Sequence, residues 1–315
     1  MKELNILVWH IHGSYLNLLV QGPHRYYLPV KEGRPEGYGG KGATFVWPNN
    51  VYEVPSDKVR DLDLDLVIFQ TPKNFFEDQY EILTPEQRRR PRIYLEHNTP
   101  KGHQNEMRHP VQDESVLIVH VTYFNQIMWD CGKNRTLVIE HAAMPRPDVL
   151  YTGEREKGIV VVNDIHRRGR ITGFDVFEQV RCQVPLDLVG FGSQEWGGLG
   201  DLPQSDLLKL EAQYRFFFNP IRYTSLPLAV VEAMAMGMPV LALSTTELPE
   251  VIQNGHSGFV SNNLGFLVDR MRDLLRDRAE AARLGRNAQA VARERFSIQR
   301  FVRDWDNAFR LVTSL

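Results

Sequence analysis

The sequence predicts an α/β fold of two parallel-sheet domains, and three observations carry that prediction. Short apolar runs alternate with helical or turn segments along the chain, the pattern of successive βα units. A proline-rich joint, MPRPDVLYTGERE, breaks the alternation near the middle, and a strand at Lys157–Asn163 restarts it. A length of 315 residues suits two domains of ordinary size, each able to bury its own core. The expected division is 1–145, 146–296 and a closing helix over 297–315.

In the first domain the apolar runs place strands at Leu4–Trp9, Thr44–Trp47, Leu64–Gln70, Arg92–Glu96, Val116–Thr122 and Thr136–Glu140. Helices follow at Tyr15–Val20, Asn74–Glu81 and Tyr123–Cys131. Gln21 to Gly42 is rich in glycine, proline and tyrosine and lacks periodicity, so it reads as loop. The second domain continues with helix Gly173–Arg181, strand Leu186–Phe191 and helix Ser205–Gln213. Asn263–Arg276 and Arg278–Arg295 have apolar residues at helical spacing. A last helix, IQRFVRDWDNAFRLV, sets Phe301, Trp305, Phe309 and Val312 on one face.

The most informative stretch runs from Phe216 to Gly258. Phe216–Phe218 is a short apolar run that suits a buried parallel strand. The chain turns through Asn219-Pro220 into a polar loop, with Pro227 in a first-turn position and Ser225 as the expected N-cap. The helix LAVVEAMAM stops at Gly237, and Pro239 bars its continuation into the strand Val240–Leu243. A loop leading from a parallel strand into a helix directs backbone N–H groups and a positive dipole end outward, so it favours an anion. The expected ligand is a nucleoside diphosphate.

These residues resemble the donor-site signature of retaining glycosyltransferases of the GT-B fold, specifically the large family 4. Glu232-Ala233-Met234-Ala235-Met236-Gly237-Met238-Pro239-Val240 matches the E-A-M-A-x-G-x-P-V half of that signature, and Glu250, Gly255 and Gly258 fit its downstream part. The resemblance implies two Rossmann-like domains facing a cleft and a terminal helix crossing back onto the first. It also implies transfer of a sugar, with retention, from a UDP- or GDP-sugar, with no permanently bound cofactor and no metal. Glu232 would hold the ribose hydroxyls, for which a carboxylate is a good double acceptor. The family's first glutamate falls on Thr224, its following glycines on Ser225 and Pro227, and its Gly-Gly pair on Thr246-Glu247. Thr224 therefore stands where the transferred sugar is contacted, and the N–H groups of Ser225 and Leu226 where the diphosphate lies.

The run VVVNDIHRRGRITGF resembles the family's opening of the second domain, whose arginine and lysine grip the diphosphate. Arg167 matches the arginine and Gly173 the glycine, while Thr172 occupies the lysine position. Arg168 and Arg170 are placed to supply the missing charge, since guanidinium chelates phosphate well; a solvated basic turn is the plainer reading of the same residues. Gly190-Phe191-Gly192 resembles the turn beside the nucleobase, and is also an ordinary tight turn. In the first domain His97 ends a strand, where open α/β sheets bind ligands, and family members often place a histidine there against the transferred sugar. Gly13 matches a position of close backbone approach to donor or acceptor. His10 and His12 are acceptor-side polar groups or plain structure, because no third ligand with recognisable spacing makes them a metal pair.

Composition excludes other classes. A hydrophobic content of 43%, a charged content of 24% and a net charge of −2 describe a globular chain without the basic excess of a nucleic-acid binder. Two separated cysteines, Cys131 and Cys182, suit free thiols in a reducing compartment. The start, MKELNILVWHIHG, enters a strand at once, and no run approaches a membrane span; the expectation is a soluble, cytoplasmic protein. The basic run Arg88–Arg92 offers at most a weak peripheral membrane contact. The acceptor is a glycan, a lipid-linked sugar or a small molecule, as in polysaccharide biosynthesis. Two rivals share the fold: a nucleotide-binding partner without turnover, motivated by Thr224, and a sugar-nucleotide epimerase. The sequence leaves the oligomeric state open.

Overall fold

A computed structural model describes residues 2–103, 105–144 and 146–314. The chain divides into two compact units, residues 1–141 with 298–315, and residues 142–297.

Unit 1 is built on seven strands: β1 (Asn5–Val8), β2 (Arg25–Val30), β3 (Val51–Pro55), β4 (Leu66–Phe69), β5 (Arg92–Glu96), β6 (Val116–His120) and β7 (Thr136–Val138). They pair in parallel in the order β3-β2-β1-β4-β5-β6-β7. The chain works outward from β1 and then returns to its other side, so the strand order reverses between β1 and β4. In open α/β sheets the crevice at such a reversal, beyond the carboxyl ends of the strands, is where ligands bind. Helices α1 (Gly13–Leu19), α2 (Gln79–Ile82) and α3 (Tyr123–Met128) lie in the connections. Leu7, Trp9, Val67, Phe69, Tyr94 and Ile118 meet in a core on one face of the sheet.

Three elements differ from expectation. The stretch expected as loop contains β2, whose alternating Tyr26 and Leu28 are fully buried. Its Pro29 lies past the end of the pairing with β1, where β2 has only β3 beside it, so the missing N–H breaks no ladder on that side. Thr44–Trp47, expected as a strand, is irregular; the strand of that region is β3, a few residues on. Strand-forming side chains do not make a strand without a partner edge, and Pro48 follows at once. The helix expected at Asn74–Glu81 opens as a π-turn over Asn74–Asp78 before α2 begins.

Unit 2 has five strands: β8 (Arg155–Val161), β9 (Leu186–Val189), β10 (Tyr214–Asn219), β11 (Val240–Ala242) and β12 (Gly258–Val260). Their parallel order is β12-β11-β10-β8-β9, with the reversal between β8 and β10. Every residue of β10 is buried, as expected for a central strand covered on both faces. The helices are α4 (Phe174–Arg181), α5 (Gln204–Glu211), α6 (Leu228–Met236), α7 (Leu248–Val251), α8 (Leu264–Arg276) and α9 (Arg278–Arg295). Gly237 ends α6 in the left-handed region at φ 90°, which a glycine adopts without steric cost. Arg215, buried in β10, donates to the carbonyls of Leu274 and Leu275 and so closes the end of α8.

The final helix, α10 (Ile298–Thr313), belongs to unit 1. Phe301, Trp305, Phe309 and Val312 are buried, as their spacing predicts. Trp305 Nε1 donates to the Tyr15 hydroxyl of α1 over 3.2 Å. Burial of each large apolar side chain contributes about 1.5–3 kcal/mol, so this face is a major part of unit 1's core. Among the described residues no helix is long and apolar enough to cross a membrane.

Candidate functional site

In unit 2 the loops after β8 and β10 meet at the strand reversal. Arg222 N donates to Ile171 O at 2.9 Å, and the Arg222 guanidinium reaches back to Arg170 O. Gly173 sits between them at φ 76°, and a Cβ there would collide with Pro220 O. That position therefore needs glycine twice over, for the backbone and for the contact. Thr172 is fully buried, and its hydroxyl donates to Ile165 O at 2.5 Å. It holds the loop's shape from inside, and its side chain is not presented to a ligand as a lysine there would be.

The basic side chains of this loop are not equivalent. Arg167 pairs with Asp164 at 2.8 Å, and Arg170 with Asp175 at 3.0 Å. Asp175 also takes both arms of Arg222, at 2.6 and 2.7 Å, which holds its carboxyl below the usual range. Arg168 is exposed and, among the described residues, makes no ion pair. Arg222 is the arginine that motif reasoning missed; it carries no recognisable spacing and is brought in only by the sheet topology.

The loop after β10 leads through Thr224, half-buried, and Ser225 and Leu226, both buried, to α6. The N-cap position falls on Pro227, not on Ser225 as expected, and no side chain caps the helix. Ser225 instead offers its carbonyl to the Thr246 hydroxyl at 3.3 Å. Among the described residues neither Ser225 N nor Leu226 N donates to a protein acceptor. Thr246 lies at φ 52°, a left-handed conformation that a β-branched residue adopts at a cost. Beside it Glu247 is buried, with Arg295 3.4 Å away, whereas Glu250 is exposed.

Glu232 projects from the middle of α6. It accepts a 2.8 Å hydrogen bond from Gln204 Nε2, the first residue of α5. Burial pushes its carboxyl up to about 7, opposed by the Gln204 bond and the charge of Arg146. Glu211, at the other end of α5, is 1% exposed, and burial with the Glu232 charge holds it well above the usual carboxyl range. Glu211 left no signal in the sequence, since a lone glutamate on a helix reads as solvated. On the far side of the β8 loop, Asn163 Oδ1 accepts from Phe191 N at 2.9 Å, tying in the turn Gly190–Gly192. Phe191 is 60% exposed, and His166 stacks on Trp196 with ring centroids 4.1 Å apart.

In unit 1 the strand reversal gathers His12, Gly13, Gln70 and His97. Gln70 donates from Nε2 to Trp9 O at 2.6 Å, so its Oε1 is the acceptor for His97 Nε2 at 2.9 Å. His97 thus carries its proton on Nε2 and presents a bare Nδ1. Burial, with His12 and His141 nearby, lowers its basicity far below the ordinary value and keeps it neutral. The His12 and His97 rings meet edge to face at 4.2 Å. A Cβ on Gly13 would lie 2.8 Å from Phe45 Cε2 and 2.9 Å from His10 Nε2, so any side chain there would have to displace both rings. Cys131 and His120, 3.5 Å apart, resemble a reactive thiol–imidazole pair, but burial pushes the thiol up to about 11 and the imidazole down to about 3, so both stay neutral. Among the described residues no group of three or more His, Cys, Asp or Glu is placed to hold a metal. A cavity of about 450 Å³ lined by His24, Asp65, Arg90 and Asp306 lies at the opposite, amino-terminal ends of the strands.

The whole architecture matches known structures. Sucrose-phosphate synthase from Thermosynechococcus elongatus superposes with a TM-score of 0.73 at 13% identity, covering 99% of this chain and 100% of that one. HepE of Anabaena, in complex with UDP-glucose, gives 0.68 at 14% identity over 98% and 100%. The fold is GT-B. Within this GT-B chain, residues 177–277 match the family model for glycosyl transferases group 1, which the chain resembles. An O-antigen chain mannosyltransferase of Escherichia coli is 41% identical over 64 residues, 20% of this chain and 16% of that protein. A sulfoquinovosyl transferase of Arabidopsis thaliana is 33% identical over 159 residues, 44% of this chain and 31% of that protein. The chain therefore spans less than a third of the length of these curated relatives.

Proposed function

We propose that the protein transfers a sugar from a nucleoside-diphosphate sugar to an acceptor hydroxyl, with retention of configuration. The observation that carries this is the convergence at the unit 2 reversal of Arg168, two unpaired N–H groups and a half-buried Glu232 oriented by Gln204. The Glu232 carboxylate accepts both ribose hydroxyls and sets the donor's register. Arg168, with Arg167 and Arg170 drawn from their carboxylates, and the N–H groups of Ser225 and Leu226 take the diphosphate. As the bond from the anomeric carbon to the phosphate oxygen breaks, these donors stabilise the oxyanion that leaves. The acceptor oxygen bonds to the anomeric carbon on the same face, and its proton passes to the departing phosphate. Gly190, Gly192 and the exposed Phe191 ring suit the nucleobase. Thr224 contributes one hydrogen bond to the transferred sugar, where the family pattern has a carboxylate. His97, neutral with Nδ1 open, accepts from a hydroxyl and does not act as a cation.

Structures similar in fold include HepE complexes with UDP and with UDP-glucose, which makes a uridine diphosphate the first nucleotide to test. Calorimetric titration with UDP, GDP and ADP, repeated on Glu232→Ala, tests the reading. Selective binding lost in the variant supports it, and no binding of any of the three sinks it. Thr224 favours one second reading, a nucleotide-binding partner without turnover; binding with neither donor hydrolysis nor transfer to any acceptor would select that one.

A further inference from the structure

The segment after β2 in unit 1 is irregular in sequence but held firmly in space. Arg34 clamps Glu53 of β3 with two bonds of 2.8 and 3.1 Å, and Lys41 N donates to the same carboxylate at 2.6 Å. His10 donates from Nδ1 to Gly40 O, and Asn17 of α1 donates to Val46 O at 3.0 Å. The segment thereby carries Phe45 and Trp47 to the carboxyl end of β1. Their rings meet edge to face at 6.1 Å, and Trp47 meets His10 in the same way at 5.6 Å. Both aromatic residues are only half-buried, and Trp47 Nε1, itself enclosed by protein, has no acceptor among the described residues. A core packing role would bury the two rings further.

We infer that Phe45 and Trp47, with His10 and His97, form an acceptor subsite for a pyranose ring of a carbohydrate. The inference rests on the transferase reading and names its acceptor class. Aromatic faces carry partial negative charge and attract the C–H groups of a sugar's apolar face. Hydroxyls on the ring's edge need acceptors, and two imidazoles offer them: His10, whose Nδ1 is taken by Gly40, presents Nε2, and His97 presents Nδ1. The His97 lone pair, on a ring that burial keeps neutral, opposes a phosphate, which separates this subsite from one built for a lipid phosphate. Because the segment is pinned before any ligand arrives, little ordering cost is charged against binding.

Saturation-transfer NMR on the full chain, with maltose, cellobiose, mannobiose and octyl phosphate as separate probes, tests this. At least one disaccharide is expected to bind, with affinity falling at least fivefold in Trp47→Ala and largely kept in Trp47→Phe. UDP, GDP and ADP titrations on Trp47→Ala show whether the variant remains folded, with affinity unchanged from the parent chain. Equal disaccharide affinity in Trp47→Ala, no disaccharide binding, or binding of octyl phosphate alone overturns the inference. Nucleotide binding without disaccharide binding sinks the subsite and leaves the transferase reading; disaccharide binding without nucleotide binding does the reverse.

Discussion

Gln204 Nε2 donates to Glu232 Oε1 over 2.8 Å, so the first residue of α5 orients a carboxylate in the middle of α6. The two elements are joined by no short connection; the bond makes ligand geometry depend on how α5 is seated. Glu232→Ala should weaken nucleoside-diphosphate binding by about 10–100-fold, the value of a charged acceptor for two hydroxyls. Gln204→Ala should cost roughly threefold to tenfold, since the carboxylate stays but its orientation is lost. Thr224→Ala should change nucleotide binding little. Titration calorimetry of the three variants ranks them, and equal effects at Glu232 and Thr224 would remove ribose from Glu232.

Burial raises both Glu211 and Glu232 above the ordinary value of 4.5, the second to about 7. The folded chain therefore keeps protons that the unfolded chain releases above about pH 5. Their contribution to stability is greatest at and below the unfolded value and declines as pH rises through 7. Glu211→Gln cannot ionise, so it should stabilise the protein by about 1 kcal/mol or more at pH 8 and scarcely at pH 5. Urea unfolding at the two pH values measures the difference. Nucleotide binding should run the other way, weakening from pH 8 to pH 6 as Glu232 takes up a proton and loses acceptor capacity.

Gly173→Ala places a Cβ against Pro220 O at a backbone conformation that alanine resists. A loss of about 2 kcal/mol or more is expected, with a parallel loss of nucleotide affinity because the arginine loop shifts. Chemical denaturation and titration on the same sample would show whether the two losses travel together.

Thr246 combines a strained backbone with a useful hydroxyl, at φ 52° and 3.3 Å from Ser225 O. Alanine there loses the hydroxyl and keeps the strain; glycine loses the hydroxyl and relieves it. Thr246→Gly should therefore be more stable than Thr246→Ala by about 0.5–1 kcal/mol, net of glycine's greater freedom when unfolded. Thermal melts of the pair decide it, and identical midpoints would mean that the left-handed turn carries no strain.

Legibility in the sequence followed the range of the forces involved. Helices α6 and α9 were bounded to the residue, because the closing glycine and following proline of α6 and the apolar period of α9 are local signals. Strand β2 was missed because Gly, Pro and Tyr around it suggest loop, and only the neighbouring β1 and β3 make it a strand. Thr44–Trp47 shows the reverse error, strand-forming residues with no edge to join. At the site, Glu232 and Arg167 stood out through a motif, whereas Arg222, Gln204 and Glu211 act through contacts that only the folded sheet creates. Thr172 is the sharpest case: the family resemblance marks it as a ligand position, and its hydroxyl is turned inward to Ile165 O.

The assignment of α10 to unit 1 has a consequence for how the protein is made. Trp305 and Phe309 are synthesised only after all of unit 2, yet they close the core around Tyr15 and His24. Unit 2 is one uninterrupted stretch and can complete its sheet while the ribosome is still adding α10. Unit 1, though begun first, must wait with an apolar face uncovered until Ile298–Thr313 emerges. During that interval the nascent chain offers chaperones a defined surface.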